Sequence, residues 1–481
     1  MNSLFWFRND LRLHDNEALN IATEEAETLL PVFIFDPRQF AKTDEIGFPK
    51  TGPFRLRFLL DSLAELKKNM QVKGSDLIIL TGKPEELIPE LCKKHDIGLV
   101  SYHEEATHEE TLVEEALDDA LEKIGVEVDS AWGATLYHVD DLPMDVEKLP
   151  DVFTAFRKKA EKYSEVRELF DTPTKLPPLP ESHPGSEDFP DAGFFGVDPD
   201  SPSNRSVLQF EGGESAALRR LETYFWDQDL LKKYKETRNG MLGADYSSKF
   251  SAWLANGTIS PRYIYFEVKR YEKERKKNNS TYWLIFELIW RDYFRFIALK
   301  YGRNLFYSTG IKGKKYEWNT DGDAFRKWAN AETGIPMIDA NMRELNESGF
   351  MSNRGRQNVA SFLAKCLNID WRWGAEYFES MLVDYDVCSN WGNWAYNSGV
   401  GNDPRDRYFN IVGQGKRYDA NGDYIRHWLP ELNNVPDEYI HEPHRMSVEQ
   451  QREAGVEIGN DYPFPMINLE QAYREIEKRG D

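Results

Sequence analysis

Three cysteines in 481 residues, Cys92, Cys366 and Cys388, are too few and too scattered for a disulfide framework or a zinc knuckle. All three are expected as buried thiols, and no metal is expected. No apolar run approaches the ~18 residues of a membrane helix. The N-terminus, MNSLFWFRND, brings Arg8 and Asp10 before a signal-peptide core could finish. These absences predict a soluble, cytoplasmic chain with no membrane partner. Phosphate motifs are missing too. No G-x-G-x-x-G follows the first apolar run and no P-loop occurs, which excludes the common dinucleotide sites from the front half. Basic residues are scarce, 60 Lys and Arg against 82 Asp and Glu, for a net charge of −22. That balance speaks against a general nucleic-acid binder until it is divided along the chain. Residues 1–150 hold 15 basic against 31 acidic side chains, whereas residues 206–430 hold 33 against 28. The second half is open to a polyanion, because local field governs encounter.

What the chain does contain is two patterns in succession. Short β-rich runs (SLFWFR, LLPVFIFD, SDLIILTG, GLVSYH, VEVDS) alternate with helical stretches beginning near His14, Phe54 and Glu85 and ending near Leu121. Such alternation predicts right-handed βαβ crossovers and a doubly wound parallel sheet, an α/β domain over residues 1–135. A connector over 136–205 follows, with eight of the 24 prolines between Asp171 and Arg205. Proline at that density predicts extended chain. Residues 206–481 read as an all-α domain.

Chemistry-bearing residues concentrate in that second domain. In TYWLIFELIWRDYFRF, Glu287, Trp290, Arg291 and Phe294 share one helical stripe. Two ionisable groups on a buried stripe predict either an internal salt bridge or the wall of a large cavity. FMSNRGRQN places Asn353, Arg356 and Gln357 on one helix face with Arg354 alongside, after a Ser352 cap. DYSSKFS offers Ser247, Ser248, Lys249 and Ser251 at an expected helix start, an arrangement suited to a diphosphate. GTISPR opens a further helix, with Ser260 capping and Pro261 in its first turn. DYDVCSNWGNWAYNSG, Asp384 to Gly399, packs two Trp, two Tyr and three Asn into sixteen residues. Tryptophans usually supply core volume. Indole is also easily oxidised, so a line of them can pass an electron between the surface and a buried redox cofactor.

These segments, with FWFRNDLRLHDN, TGPFRLRFL, TGIPMIDANMREL, DWRWGAEYFES and NGDYIRHWLPEL, resemble the photolyase/cryptochrome family, and within it the cryptochrome DASH branch, over nearly the whole chain. The resemblance implies a non-covalent FAD in the helical domain. Tyr234 and the turn Ser247, Ser248, Lys249, Phe250, Ser251 match its diphosphate cradle. Arg356 paired with Asp384, together with Asp386 and Asn390, matches the set around the isoalloxazine, with Glu287, Arg291 and Asn353 also bordering the cofactor. Asn390 falls opposite flavin N5, where a neutral amide resembles the repair side of the family. Trp394, Trp371 and Trp318 match a relay running from flavin to surface. Glu287, Trp290, Asn353, Arg354, Gln357 and Tyr396 match the pocket for a cyclobutane pyrimidine dimer. The branch also implies a 5,10-methenyltetrahydrofolate antenna in the α/β domain, with Glu105 of YHEEATHEE as its pterin-binding carboxylate.

Two departures matter. Tyr396 and Gln357 stand where duplex-active relatives usually have Trp and Met, so flipping a lesion out of a duplex should be harder. The expectation is therefore a monomeric, blue-light-dependent lyase acting on dimers in single-stranded DNA. The competing reading is a photosensor signalling through flavin redox state. Sensors of that type usually extend beyond the core helices, whereas this chain ends about fifty residues after WLPEL. A third reading, an ordinary flavin oxidoreductase, is disfavoured because the sequence shows no nicotinamide site.

Overall fold

The computed structural model describes residues 1–405 and 407–480. Five parallel strands, β1 (Asn2–Phe7), β2 (Thr28–Phe35), β3 (Ile78–Thr81), β4 (Ile97–Tyr102) and β5 (Glu127–Val128), form one sheet in the order β3-β2-β1-β4-β5. Successive strand side chains point to opposite faces, so each near-continuous apolar run serves two cores. Phe5, Phe7, Phe33 and Phe35 face one way, toward Leu19 of α1 (Glu17–Glu24) and Leu63 and Leu66 of α2 (Pro53–Val72). Leu4, Trp6, Val32 and Ile34 face the other, toward α3 (Pro84–His95) and α4 (His108–Glu122). The sheet is doubly wound, as the sequence predicts.

The proline-rich connector is more structured than its composition implies. It contains a short helix, Ala192–Phe195, capped by Asp191. Its extended parts close the sheet's exposed edge: Leu29 N donates to Pro178 O at 2.9 Å and Glu187 N to Ile79 O at 3.0 Å. Unpaired strand edges invite association, and a proline-rich strap can cover one without extending it.

Beyond the connector the chain is helical. The long helix Asn279–Tyr301 begins with a capping box at Asn278 and packs against Val387–Ser398 and Tyr234–Thr237. Two helices, Glu214–Glu222 and Asn353–Ser361, run on into π turns. The N-terminal domain is clamped to this body by the loop after β1. Arg262 meets Asp15 at 2.7 Å, both almost fully buried, and His14 meets Glu214 at 2.5 Å. Gly257, at φ +69°, lies so close that a Cβ there would stand 1.9 Å from Asn9 O. Ser260 caps the following helix as expected, accepting from the Arg262 and Tyr263 amides. Cys92 and Cys388 are buried, but Cys366 is only half-buried, at the end of a π turn rather than in the core.

Candidate functional site

An open cleft of about 1470 Å³, including its mouth, enters the helical domain. Its first wall is the cradle. Ser247, Ser248, Lys249, Phe250 and Ser251 all line it, with Tyr234 alongside. The expected helix start is displaced: Ser247 to Phe250 form an irregular turn, and the helix that follows, Ser251–Ala255, has only five residues. Hydroxyls and Lys249, not a long helix dipole, are what this wall offers an anion. The turn is shaped by Arg220, which sequence reading missed. Its guanidinium donates to Ser248 O at 3.0 Å, to Ala244 O and Ser247 O at 3.1 Å, and to Asp245 Oδ1 at 2.8 Å. No local signal marks that arginine, because its partners lie more than twenty residues downstream.

The second wall carries charge held in place. Arg356 Nη2 donates to both Asp384 oxygens, at 2.9 and 2.8 Å, and its Nε donates to Met351 O. Ser352 caps this helix by accepting from Gly355 N at 3.0 Å. Asp386 caps the next, accepting from Ser389 N at 2.8 Å, and also pairs with Arg295 and, at 3.9 Å, Arg291. Burial pushes the Asp386 carboxyl up, but Arg295 and Arg291 outweigh it and leave the group below its ordinary value. Burial, and then the like charge of Arg295, push Arg291 down to about 10. Asn390 lines the cleft while its Nδ2 donates to Ala375 O at 2.9 Å. Cys388 is fully buried behind them, its thiol pushed well up by burial.

Glu287 does not pair with Arg291, one turn away on its own helix. It pairs with Arg238 at 2.5 Å, while Arg291 reaches Leu254 O at 3.0 Å and Ala134 O. Burial raises the Glu287 carboxyl, partly offset by Arg238. Asn353 and Gln357 line the same cleft, joined by Asn393 and Asn397 from the Val387–Ser398 helix. Three expected pocket residues are not among those that line this cleft. Arg354 is held by Gln357 Oε1 at 2.7 Å and Asn239 Oδ1 at 3.0 Å. Trp290 stacks on Phe153, centroids 3.6 Å apart, with Tyr396 edge-on at 6.0 Å. Tyr396 also takes a 3.2 Å hydrogen bond from Arg407.

The tryptophans run outward in the expected order. Trp394 lines the cleft, and its ring abuts Gly374, where a Cβ would meet Cη2 at 2.2 Å. One turn earlier on that helix sits Trp371, fully buried. Trp371 Nε1 and Trp318 Nε1 both donate to Ser308 O, at 3.1 and 3.2 Å, so one carbonyl ties the two indoles together. Trp318 is only partly buried. A bridge between Asn319 and Ile369 keeps the two segments adjacent.

Glu105 lies away from this cleft. It follows β4 at the point where strand order reverses between β1 and β4, the place where open α/β sheets bind ligands. Asn9 Nδ2 donates to it at 2.8 Å, and Arg295 approaches from the helical domain at 3.5 Å. Arg295 thus stands between Glu105 and Asp386, a link across the domains that the sequence did not signal.

A parallel sheet over a helical body with such a cleft defines a two-domain cofactor-binding architecture. Residues 3–181 match the DNA photolyase family model, and residues 283–480 match that of the FAD binding domain of DNA photolyase. The chain is 53% identical over 487 residues to the cryptochrome DASH of Synechocystis sp., covering 99% of this chain and 98% of the relative. It is similar to the crystal structure of a Synechocystis cryptochrome, with TM-score 0.96, 52% identity and 99% of both chains covered. It is also similar to a class III photolyase of Agrobacterium tumefaciens, with TM-score 0.87, 30% identity and 99% and 98% of the chains covered. The chain belongs to the photolyase/cryptochrome family, in its cryptochrome DASH branch. Its cleft fits FAD: hydroxyls and a buried, unpartnered ammonium, Lys249 Nζ, on one wall and a fixed Arg–Asp pair with an amide on the other suit diphosphate and ring polar atoms respectively. No helix among the described residues is long and apolar enough to cross a membrane.

Proposed function

We propose that this protein uses blue light and reduced FAD to split cyclobutane pyrimidine dimers in single-stranded DNA. The observation that carries the reading is that one open cleft gathers both residue sets, the cofactor set (Tyr234, Ser247 to Ser251, Arg356, Asp384, Asp386, Asn390) and the lesion set (Glu287, Asn353, Gln357). When bound, reduced flavin supplies photoexcited one-electron donation; the protein's share is positioning and polarisation.

In this reading Asn390, oriented by the one N–H it gives to Ala375, offers a neutral amide that can hydrogen-bond the ring but carries no acidic proton. Glu287, raised by burial and steadied by Arg238, hydrogen-bonds the pyrimidines. Asn353 and Gln357 supply neutral contacts, Arg354 meets phosphate, and Trp290 and Tyr396 stack near the mouth. Trp394, Trp371 and Trp318 would offer electrons a path from the surface toward the group bound in the cleft. Gln357 and Tyr396 favour the single strand physically. A phenol ring smaller than an indole and an amide held by Arg354 in place of a thioether replace less of the stacking lost from a duplex. Glu105, at the strand-order reversal, is the residue we assign to a folate antenna, and we place the protein as a monomer in the cytoplasm.

The test is loss of dimers from a short oligonucleotide, in reductant under blue light, presented single-stranded and as duplex. Repair of the single strand alone is expected. Glu287→Ala should retain FAD and lose about ten- to a hundredfold in repair, the scale of a hydrogen bond to a charged group. Repair of neither substrate, with FAD bound and photoreducible, would make the photosensor the better reading.

A further inference from the structure

Lys249 is a buried lysine without a hydrogen-bonded counter-ion. Its backbone sits at φ +57°, a left-handed conformation unusual for a side-chain-bearing residue and kept only where surroundings enforce it. The side chain is buried, and Nζ has no hydrogen-bond partner. Nζ stands 3.4 Å from the Tyr246 ring centroid and 4.7 Å from that of Phe350, so two π faces hold the charge. Both rings line the cofactor cleft.

The charged neighbours come from four elements. Asp245 and Tyr246 lie on the same loop, Arg220 on Glu214–Glu222, Glu344 on Pro336–Ser348, and Arg356 on Asn353–Ser361. Asp245 is taken by Arg220 and Asp384 by Arg356. Glu344 is fully buried; Tyr424 donates to one of its oxygens at 2.6 Å and the other has no partner. Burial pushes Lys249 down to about 7 and Glu344 up to about 7, so neither is a dependable charge at neutral pH.

We propose that Lys249 is a proton-linked anion clamp: the diphosphate of FAD supplies the negative charge its aromatic box lacks, and each FAD bound draws one proton from solvent onto Nζ. The inference rests on reading Ser247 to Ser251 as the diphosphate cradle. The Nζ lone pair accepts the proton, the buffer loses it, and nothing is oxidised or reduced. Below the pH at which free Lys249 loses its proton, affinity is flat. Above it, each pH unit costs about tenfold, because the proton must be bound together with the ligand.

The test measures the Kd for FAD on the full-length holoprotein by ultrafiltration and flavin absorbance between pH 6 and 8.5, with riboflavin, which has no phosphate, as the second probe. The Kd for FAD should be level below about pH 7 and rise toward tenfold per unit above it, while riboflavin shows no slope. Lys249→Arg, permanently charged, should flatten the profile and keep FAD bound; Glu344→Gln should leave the slope intact. A flat wild-type profile, an equal slope for riboflavin, a slope surviving Lys249→Arg, or a slope lost in Glu344→Gln would each overturn the clamp. If Lys249→Arg does not fold, the FAD-against-riboflavin comparison on the wild-type protein decides alone. FAD bound without a slope defeats only this inference, whereas failure to bind FAD at any pH defeats the cradle reading with it.

Discussion

The interface between the two domains and the cofactor cleft both bury charge, and they do it in opposite ways. At the interface the charges meet in pairs, Asp15 with Arg262 and His14 with Glu214. Around the cleft, Lys249 Nζ, Tyr246 OH, Arg354 Nε and one oxygen of Glu344 have none. Leaving a buried polar atom unmatched costs roughly 1–3 kcal/mol, so a fold retains such atoms where something else makes use of them. Fixed pairs border the cleft as well, Arg356 with Asp384 and Arg238 with Glu287; what the cleft adds is a whole ammonium, Lys249 Nζ, with no hydrogen-bond partner.

The largest effects should come from changes that touch only one of the two regions. Trp394→Phe keeps the aromatic volume beside Gly374 and removes the oxidisable indole. Photoreduction of the bound flavin should fall to a small fraction of wild type while FAD content stays constant, read by absorbance under blue light. Unchanged photoreduction would remove the relay and make Trp394 packing, like Trp328 behind it. Asp15→Asn is the counterpart at the interface. It keeps the shape and the left-handed backbone at φ +44°, which asparagine tolerates, and leaves Arg262 buried without its anion. A loss of about 3–5 kcal/mol is expected in urea unfolding, with the photoreduction rate of the remaining folded protein unchanged. Loss of photoreduction in proportion to stability would show that the regions are not separable.

Much of this contrast was legible in the sequence. The α/β alternation, the caps at Ser260 and Ser352, and the stripe carrying Glu287 follow from local periodicity and side-chain chemistry, and the fold has them. Cradle and isoalloxazine residues were reached through ordered motifs rather than spacing alone. What stayed hidden was partner choice. Arg238 rather than Arg291 balances Glu287, Arg220 shapes the cradle from another helix, and Arg295 meets both Asp386 and, 190 residues earlier in the chain, Glu105. Helical spacing reports which residues share a face, and says nothing of what the fold brings to that face. The same reason leaves Trp290 outside the cleft lining although Glu287 and Arg291 of its stripe are in it: the neighbouring elements decide which member fronts the cavity.

The smallest predicted effect tests whether an unpartnered charge really is a cost. Glu344 is raised by burial from an ordinary carboxyl value to about 7 in the folded protein. A raised carboxyl binds its proton more tightly when folded, so the wild-type protein is destabilised progressively as pH rises from about 4.5 to about 7, and by a constant amount above that. Glu344→Gln keeps an oxygen for Tyr424 and cannot ionise. Its stability relative to wild type should therefore grow across that window, reaching at most about 3 kcal/mol by pH 8 and vanishing below pH 4.5. Melting temperatures of the two proteins across pH 4 to 8 give the answer. A constant offset would mean that Glu344 titrates alike in the folded and unfolded chain. Its bare oxygen would then no longer distinguish the cleft from the paired interface, and the contrast would rest on Lys249 and the two remaining unpartnered groups.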